Sequence, residues 1–186
     1  GDVDREPHAG HGLSINPCFL RPRSRGRVGL SSADPMAPIR FDGGYLSEAQ
    51  DVHTLMRGVR LARRILRASA MQRVVSAEIE PAAAEAIDDA ALEAYVRARA
   101  KTVYHPAGTC RMGADPMAVV DPQLRVHGVG GLRIADASVM PALPSGNTNA
   151  PTIMIAERCA QFLLDGEAKA QSVRAPSKPS RQAAHA

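Results

Sequence analysis

Proton transfer near neutral pH is best served by an imidazole. This chain places one, His105, in the run Tyr104-His105-Pro106-Ala107-Gly108-Thr109-Cys110-Arg111-Met112-Gly113. A single histidine is more often structural than catalytic, so the weight of His105 rests on the residues around it. A second run, Ser145-Gly146-Asn147-Thr148-Asn149-Ala150-Pro151-Thr152, carries two carboxamides, Asn147 and Asn149. These can hydrogen-bond a ligand oxygen or, more plainly, form a turn and cap a helix. Between the two runs, Leu132-Arg133-Ile134-Ala135-Asp136-Ala137-Ser138-Val139-Met140-Pro141 reads as a strand ending in an acidic turn at Asp136. Cys110 has no neighbouring feature that demands a thiolate and is read as a packing residue. His8, His11, His53, His127 and His185 share no ligand spacing on a common face apart from a weak His8/His11 pair, so no metal is expected.

The elements that must position these residues follow from hydrophobic period. Short apolar or alternating runs at 15–20, 26–32 and 39–41, punctuated by proline and glycine, predict strands. From Ser47 the period becomes helical: Val52, Leu55, Met56, Val59, Ala62, Ile65 and Leu66 fall on one stripe, with Ser47 as the expected N-cap. A second helix is predicted over 88–101, led by Asp88 and Asp89 and turning Leu92, Tyr95 and Val96 inward. Short strands are expected at 119–120, 124–126 and 132–135. A last helix is expected over 149–164, with Pro151 in its first turn, where a missing amide hydrogen costs nothing.

Composition narrows the function classes. The 186 residues can hold one sizeable core, but aromatic content is 3% and tryptophan is absent, so that core must be aliphatic. The formal net charge of +4 is carried by arginine clusters without interleaved aromatics or a nucleic-acid motif, which argues against nucleic-acid binding. Cys18, Cys110 and Cys159 are far apart and form no Cys-x-x-Cys pair, so a disulfide framework and a zinc site are both unexpected. A reducing compartment follows, and the expected location is the cytoplasm or a membrane periphery. No apolar run approaches the ~18 residues of a membrane span.

The His105 run and the Ser145-to-Thr152 run, taken together, resemble the C-terminal part of the glucose-methanol-choline (GMC) oxidoreductases, especially choline dehydrogenase-like and bacterial alcohol dehydrogenase-like members. Pro22-Arg23-Ser24-Arg25-Gly26-Arg27-Val28 with Asp34-Pro35 is similar to the sheet of that family's substrate domain, and the resemblance extends over roughly 15–165. The family's N-terminal Gly-x-Gly-x-x-Gly turn, which lets backbone approach a pyrophosphate, is not found. Gly128-Val129-Gly130 has Arg133 where the third glycine belongs, and Gly10-His11-Gly12 has Ile15. The expectation is therefore a C-terminal fragment of a two-domain flavoprotein, α+β in class and inactive on its own. It would comprise a truncated loop at 1–14, a mainly substrate-binding part at 15–112, returning FAD-domain elements at 113–166 and a disordered basic tail at 167–186.

The resemblance also implies roles. His105 would be the general base and Asn147, at a position where the family has histidine or asparagine, would hydrogen-bond the substrate oxygen. Asp136, Ala137, Asn147, Thr148 and Asn149 would contact FAD, with the positive end of the last helix facing the ring edge that gains negative charge on reduction. The implied reaction is oxidation of a choline-like or other primary alcohol to an aldehyde, with a quinone or other carrier favoured over oxygen as final acceptor. Two other readings stay open: a non-catalytic remnant or interaction module without flavin, and a lyase on the same scaffold.

Overall fold

A computed structural model describes residues 10–81 and 87–174. His8 and His185 lie outside those residues, as do most of the expected loop remnant and the end of the basic tail. The chain forms two compact units, Gly1–Tyr104 and His105–Ala186.

In the first unit, strands β1 (Arg27–Gly29) and β2 (Arg40–Asp42) pair antiparallel with Val28 opposite Phe41. Gly44, at φ +56°, lies where any Cβ would collide with the Arg25 carbonyl oxygen, so the turn after β2 requires glycine. The strand expected at 15–20 does not form. Pro17 in its middle donates no amide, and its ring lies close against Gly58 of the first helix instead.

That helix, α1 (Ala49–Leu66), buries Val52, Met56 and Ala62 of the predicted stripe, whereas Ile65 near its end is exposed. Helix α2 (Asp89–Arg99) presents Leu92 and Val96 to the same cluster. Asp88 caps α2 by accepting the Ala91 amide at 2.7 Å. Ser47, expected to cap α1, does not: Glu48 holds the N-cap position without a side-chain bond, and its amide donates to the Ser24 hydroxyl at 3.1 Å. The amide of the N-cap residue is thus met by a hydroxyl distant in sequence. Arg63 in the last turn of α1 and Arg67 at its C-cap both reach Glu78, the former through two contacts at 2.6 and 3.1 Å.

Asp51 is the anchor of this unit. It is 1% exposed and accepts the Arg23 amide at 3.0 Å, the Ser24 amide at 2.8 Å and the Ser24 hydroxyl at 2.6 Å. The arginine-rich 22–25 segment is thereby tied to α1. Burial alone would raise the carboxyl's pKa, but the donors from Arg23 and Ser24 outweigh it and hold it below the ordinary carboxylate range. A group depressed in the folded state contributes stability above the unfolded carboxylate range, about pH 4, and that contribution is lost as pH falls through the folded value. Asp51→Asn is expected to cost about 1.5–3 kcal/mol at neutral pH, the scale for a charged hydrogen bond. Denaturant titration at neutral and acidic pH checks it: the variant's deficit should shrink in acid.

The second unit is built on backbone ladders around a separate core of Val120, Leu124, Val139, Met140, Ile155 and Cys159. The strands expected at 119–120, 124–126 and 132–135 appear only as single bridges, Met112 with Val120, Val120 with Val126 and Arg125 with Arg133. Pro122 and the glycines at 128, 130 and 131 interrupt any longer ladder. Helix α3 (Asn149–Arg174) runs past the expected end at 164, so 167–174 are helical rather than a disordered tail. Glu167-Ala168-Lys169-Ala170-Gln171 are strong helix formers without an apolar stripe, and a reading based on period passes over them. The two units divide between 104 and 105, and within the second the amides of Gly108, Cys110 and Met112 donate to the carbonyls of Ala137, Ser138 and Val139. No helix among the described residues is long and apolar enough to cross a membrane.

Candidate active site

Those three amide bonds, at 3.3, 2.9 and 2.8 Å, hold the His105 run alongside the Asp136 turn. Gly108, at φ +87°, lets the chain enter this pairing in a conformation other residues resist. The turn is a short 3-10 helix, Ala137–Val139, capped by Asp136, whose Oδ1 accepts the Ser138 amide at 2.7 Å. Asp136 is exposed and Ala137 half-buried. Val139 and Met140 then pass into the core beside Ile155 and Cys159 of α3.

The third run joins through one side-chain contact. His105 Nδ1 lies 2.8 Å from Thr148 Oγ1, and Thr148 is only 8% exposed. The Thr148 carbonyl accepts both the amide and the hydroxyl of Thr152, at 3.0 and 2.7 Å, so Thr148 stands where α3 begins. Asn147, the residue before it, is exposed, and its carboxamide makes no hydrogen bond among the described residues. The same is true of the Asn149 side chain. Neither asparagine caps the helix through its side chain.

Around the site, Arg111 grips Asp115 through two bonds at 2.8 and 2.6 Å. The Arg111 guanidinium, helped by the Met117 amide, lowers the Asp115 pKa to about 2. This pair closes the loop after Met112; in a non-helical segment its four-residue spacing is no signal in the sequence. Thr148 was expected as a cofactor contact. Its bond to His105 was not, because nothing local tells which group a threonine hydroxyl will choose.

The family model described as GMC oxidoreductase matches residues 22–156. This chain belongs to the GMC oxidoreductase family. It is 47% identical over 163 residues to an alcohol dehydrogenase [acceptor] from Pseudomonas putida, covering 88% of this chain and 29% of that protein. It is 44% identical over 161 residues to an oxygen-dependent choline dehydrogenase from Paraburkholderia xenovorans, covering 87% of this chain and 28% of the relative. Among solved structures, pyridoxine 4-oxidase from Mesorbium loti superposes with a TM-score of 0.72 at 32% identity, covering 76% of this chain and 28% of that one. The chain thus spans under a third of these relatives' lengths. The α+β class agrees with these GMC neighbours, and GMC oxidoreductases are FAD-dependent.

The donor set fits one end of that cofactor. The start of α3 has amides and the positive end of a helix dipole that would suit a ring edge gaining negative charge, and the two exposed carboxamides at 147 and 149 would add neutral donors. A phosphate-cradling Gly-x-Gly-x-x-Gly turn is not among these residues.

Proposed function

We propose that the protein oxidises a small primary alcohol, choline-like or simpler, to the aldehyde, with His105 as general base and Asn147 as donor to the substrate oxygen. The observation that carries this reading is the 2.8 Å contact between His105 and Thr148, which ties the imidazole to the residue next to Asn147. Bound FAD supplies a two-electron acceptor for the hydride leaving the substrate carbon. His105 takes the hydroxyl proton on Nε2, the ring nitrogen not engaged by Thr148. The Asn147 carboxamide, which makes no hydrogen bond among the described residues, steadies the negative charge that grows on the oxygen as the proton leaves. Asp136, Ala137, Thr148 and Asn149 complete the cofactor's surroundings in this reading. The companion ladder from Gly108 to Met112 keeps the Asp136 turn and the base in one rigid piece.

For reoxidation, a quinone or other carrier is favoured over oxygen. The names of the relatives point both ways, one specifying an acceptor and the other oxygen.

A product balance tests the reaction. The flavin-loaded protein, mixed with a primary alcohol without oxygen, should bleach its flavin and yield aldehyde in equal amount, and a quinone or dye should restore the colour. Substrate cleavage with the flavin still oxidised would indicate the lyase, and no alcohol-dependent change at all would indicate the non-catalytic remnant. Hydrogen peroxide formed in air as fast as a dye is reduced would assign oxygen as the acceptor.

A further inference from the structure

A threonine at the residue before a helix ordinarily spends its hydroxyl on an amide two or three residues on. Thr148 occupies that position, since its carbonyl accepts the Thr152 amide, yet its hydroxyl bonds His105 instead. The helix forgoes a side-chain cap from Thr148 so that an imidazole is held. Two features make the hold firm: Thr148 is buried, and its carbonyl is gripped twice by Thr152, at 3.0 and 2.7 Å. Its oxygen therefore presents one position to the ring.

We propose that Thr148 is the positioning residue of the site, fixing the Nδ1–H tautomer of His105 so that Nε2 is left with its lone pair toward the substrate. The logic is that of any histidine base: the nitrogen that accepts a proton is decided by the bond the other nitrogen makes. With Nδ1–H donating to Thr148 Oγ1, Nε2 is the only basic atom on the ring. Were the hydroxyl to donate to Nδ1, the ring proton would sit on Nε2 and the base would face the substrate already protonated. Oγ1 as acceptor is the arrangement that leaves His105 functional. Thr148 does not touch the reacting atoms in this role. It acts through His105, and the assignment rests on the alcohol-oxidation reading above.

The test uses the flavin-loaded protein labelled with nitrogen-15 at histidine, the His105 signal being assigned by its loss in His105→Gln. The parent should show Nδ1 protonated and Nε2 bare. Thr148→Val keeps the side chain's shape without its hydroxyl and should shift the proton toward Nε2. It should also slow anaerobic flavin reduction at saturating alcohol by about 10–100-fold, the scale for removing a histidine's orienting partner, with little change in KM. Thr148→Ser, which retains the hydroxyl, should restore both the tautomer and most of the rate. A valine variant with the parent's proton position, or with the parent's rate, overturns the assignment and leaves alcohol oxidation standing. So does a serine variant as slow as valine, which would mean that packing of the methyl group matters and the hydroxyl does not. The tautomer is read without substrate. A parent protein that no alcohol reduces therefore overturns the proposed reaction, while the proton position still decides what Thr148 does to His105.

Discussion

His105→Ala is expected to slow reduction of the flavin by about a hundredfold or more, the usual scale for losing a general base. Substrate affinity should change far less, because the imidazole acts on a proton in flight and contributes little to holding the alcohol beforehand. Stopped-flow mixing without oxygen separates the two, since the limiting rate reports the chemistry and its concentration dependence reports binding. Removing the ring also empties the partner of a buried hydroxyl, so Thr148 must find another acceptor or donor. A lower melting temperature is expected for that reason and does not count for or against the base. An unchanged limiting rate would remove His105 from the mechanism.

Asn147→Ala is expected to give the next largest loss, bounded by the ~2.7–4 kcal/mol that one well-placed donor is worth to a developing oxyanion. The exposed carboxamide makes no hydrogen bond within the described structure, so its removal should leave stability almost untouched. Asn147→His is the sharper variant. The resemblance places histidine at this position in other branches of the family, and a ring there can still donate to the substrate oxygen. It should retain more activity than alanine. If both variants reduce flavin at the parent's rate while melting at a lower temperature, Asn147 is a turn residue and the two-residue site is wrong.

Much of this arrangement could be read before the fold was known, and the parts that could not have a common cause. Val52, Met56, Leu92 and Val96 announced α1, α2 and their shared core through period alone, because an amphipathic helix writes its buried face locally. The Asp88 cap was legible for the same reason. Ser47 fails as a cap because α1 begins one residue later, with Glu48 at the N-cap and its amide bonded to Ser24, which Asp51 brings over from a remote part of the chain. The 15–20 segment failed as a strand because its proline found a glycine on a helix to pack against, a contact no local pattern encodes. Thr148 belongs with these: the resemblance implies only a cofactor contact for it, and the histidine that claims its hydroxyl is 43 residues away. Residue types and order gave His105 and Asn147 by resemblance, whereas the connection between their segments is a matter of tertiary structure.

The central claim is that an alcohol's carbon loses hydride to the flavin while His105 takes the hydroxyl proton. It is tested most directly by the anaerobic rate of flavin reduction measured with an ordinary primary alcohol and with the same alcohol carrying deuterium on the hydroxyl-bearing carbon. The account predicts that the flavin is reduced with both, more slowly with the deuterated alcohol, and that one aldehyde forms for each flavin reduced. A flavin that stays oxidised at saturating alcohol, or product formed without any reduction of the flavin, would contradict it.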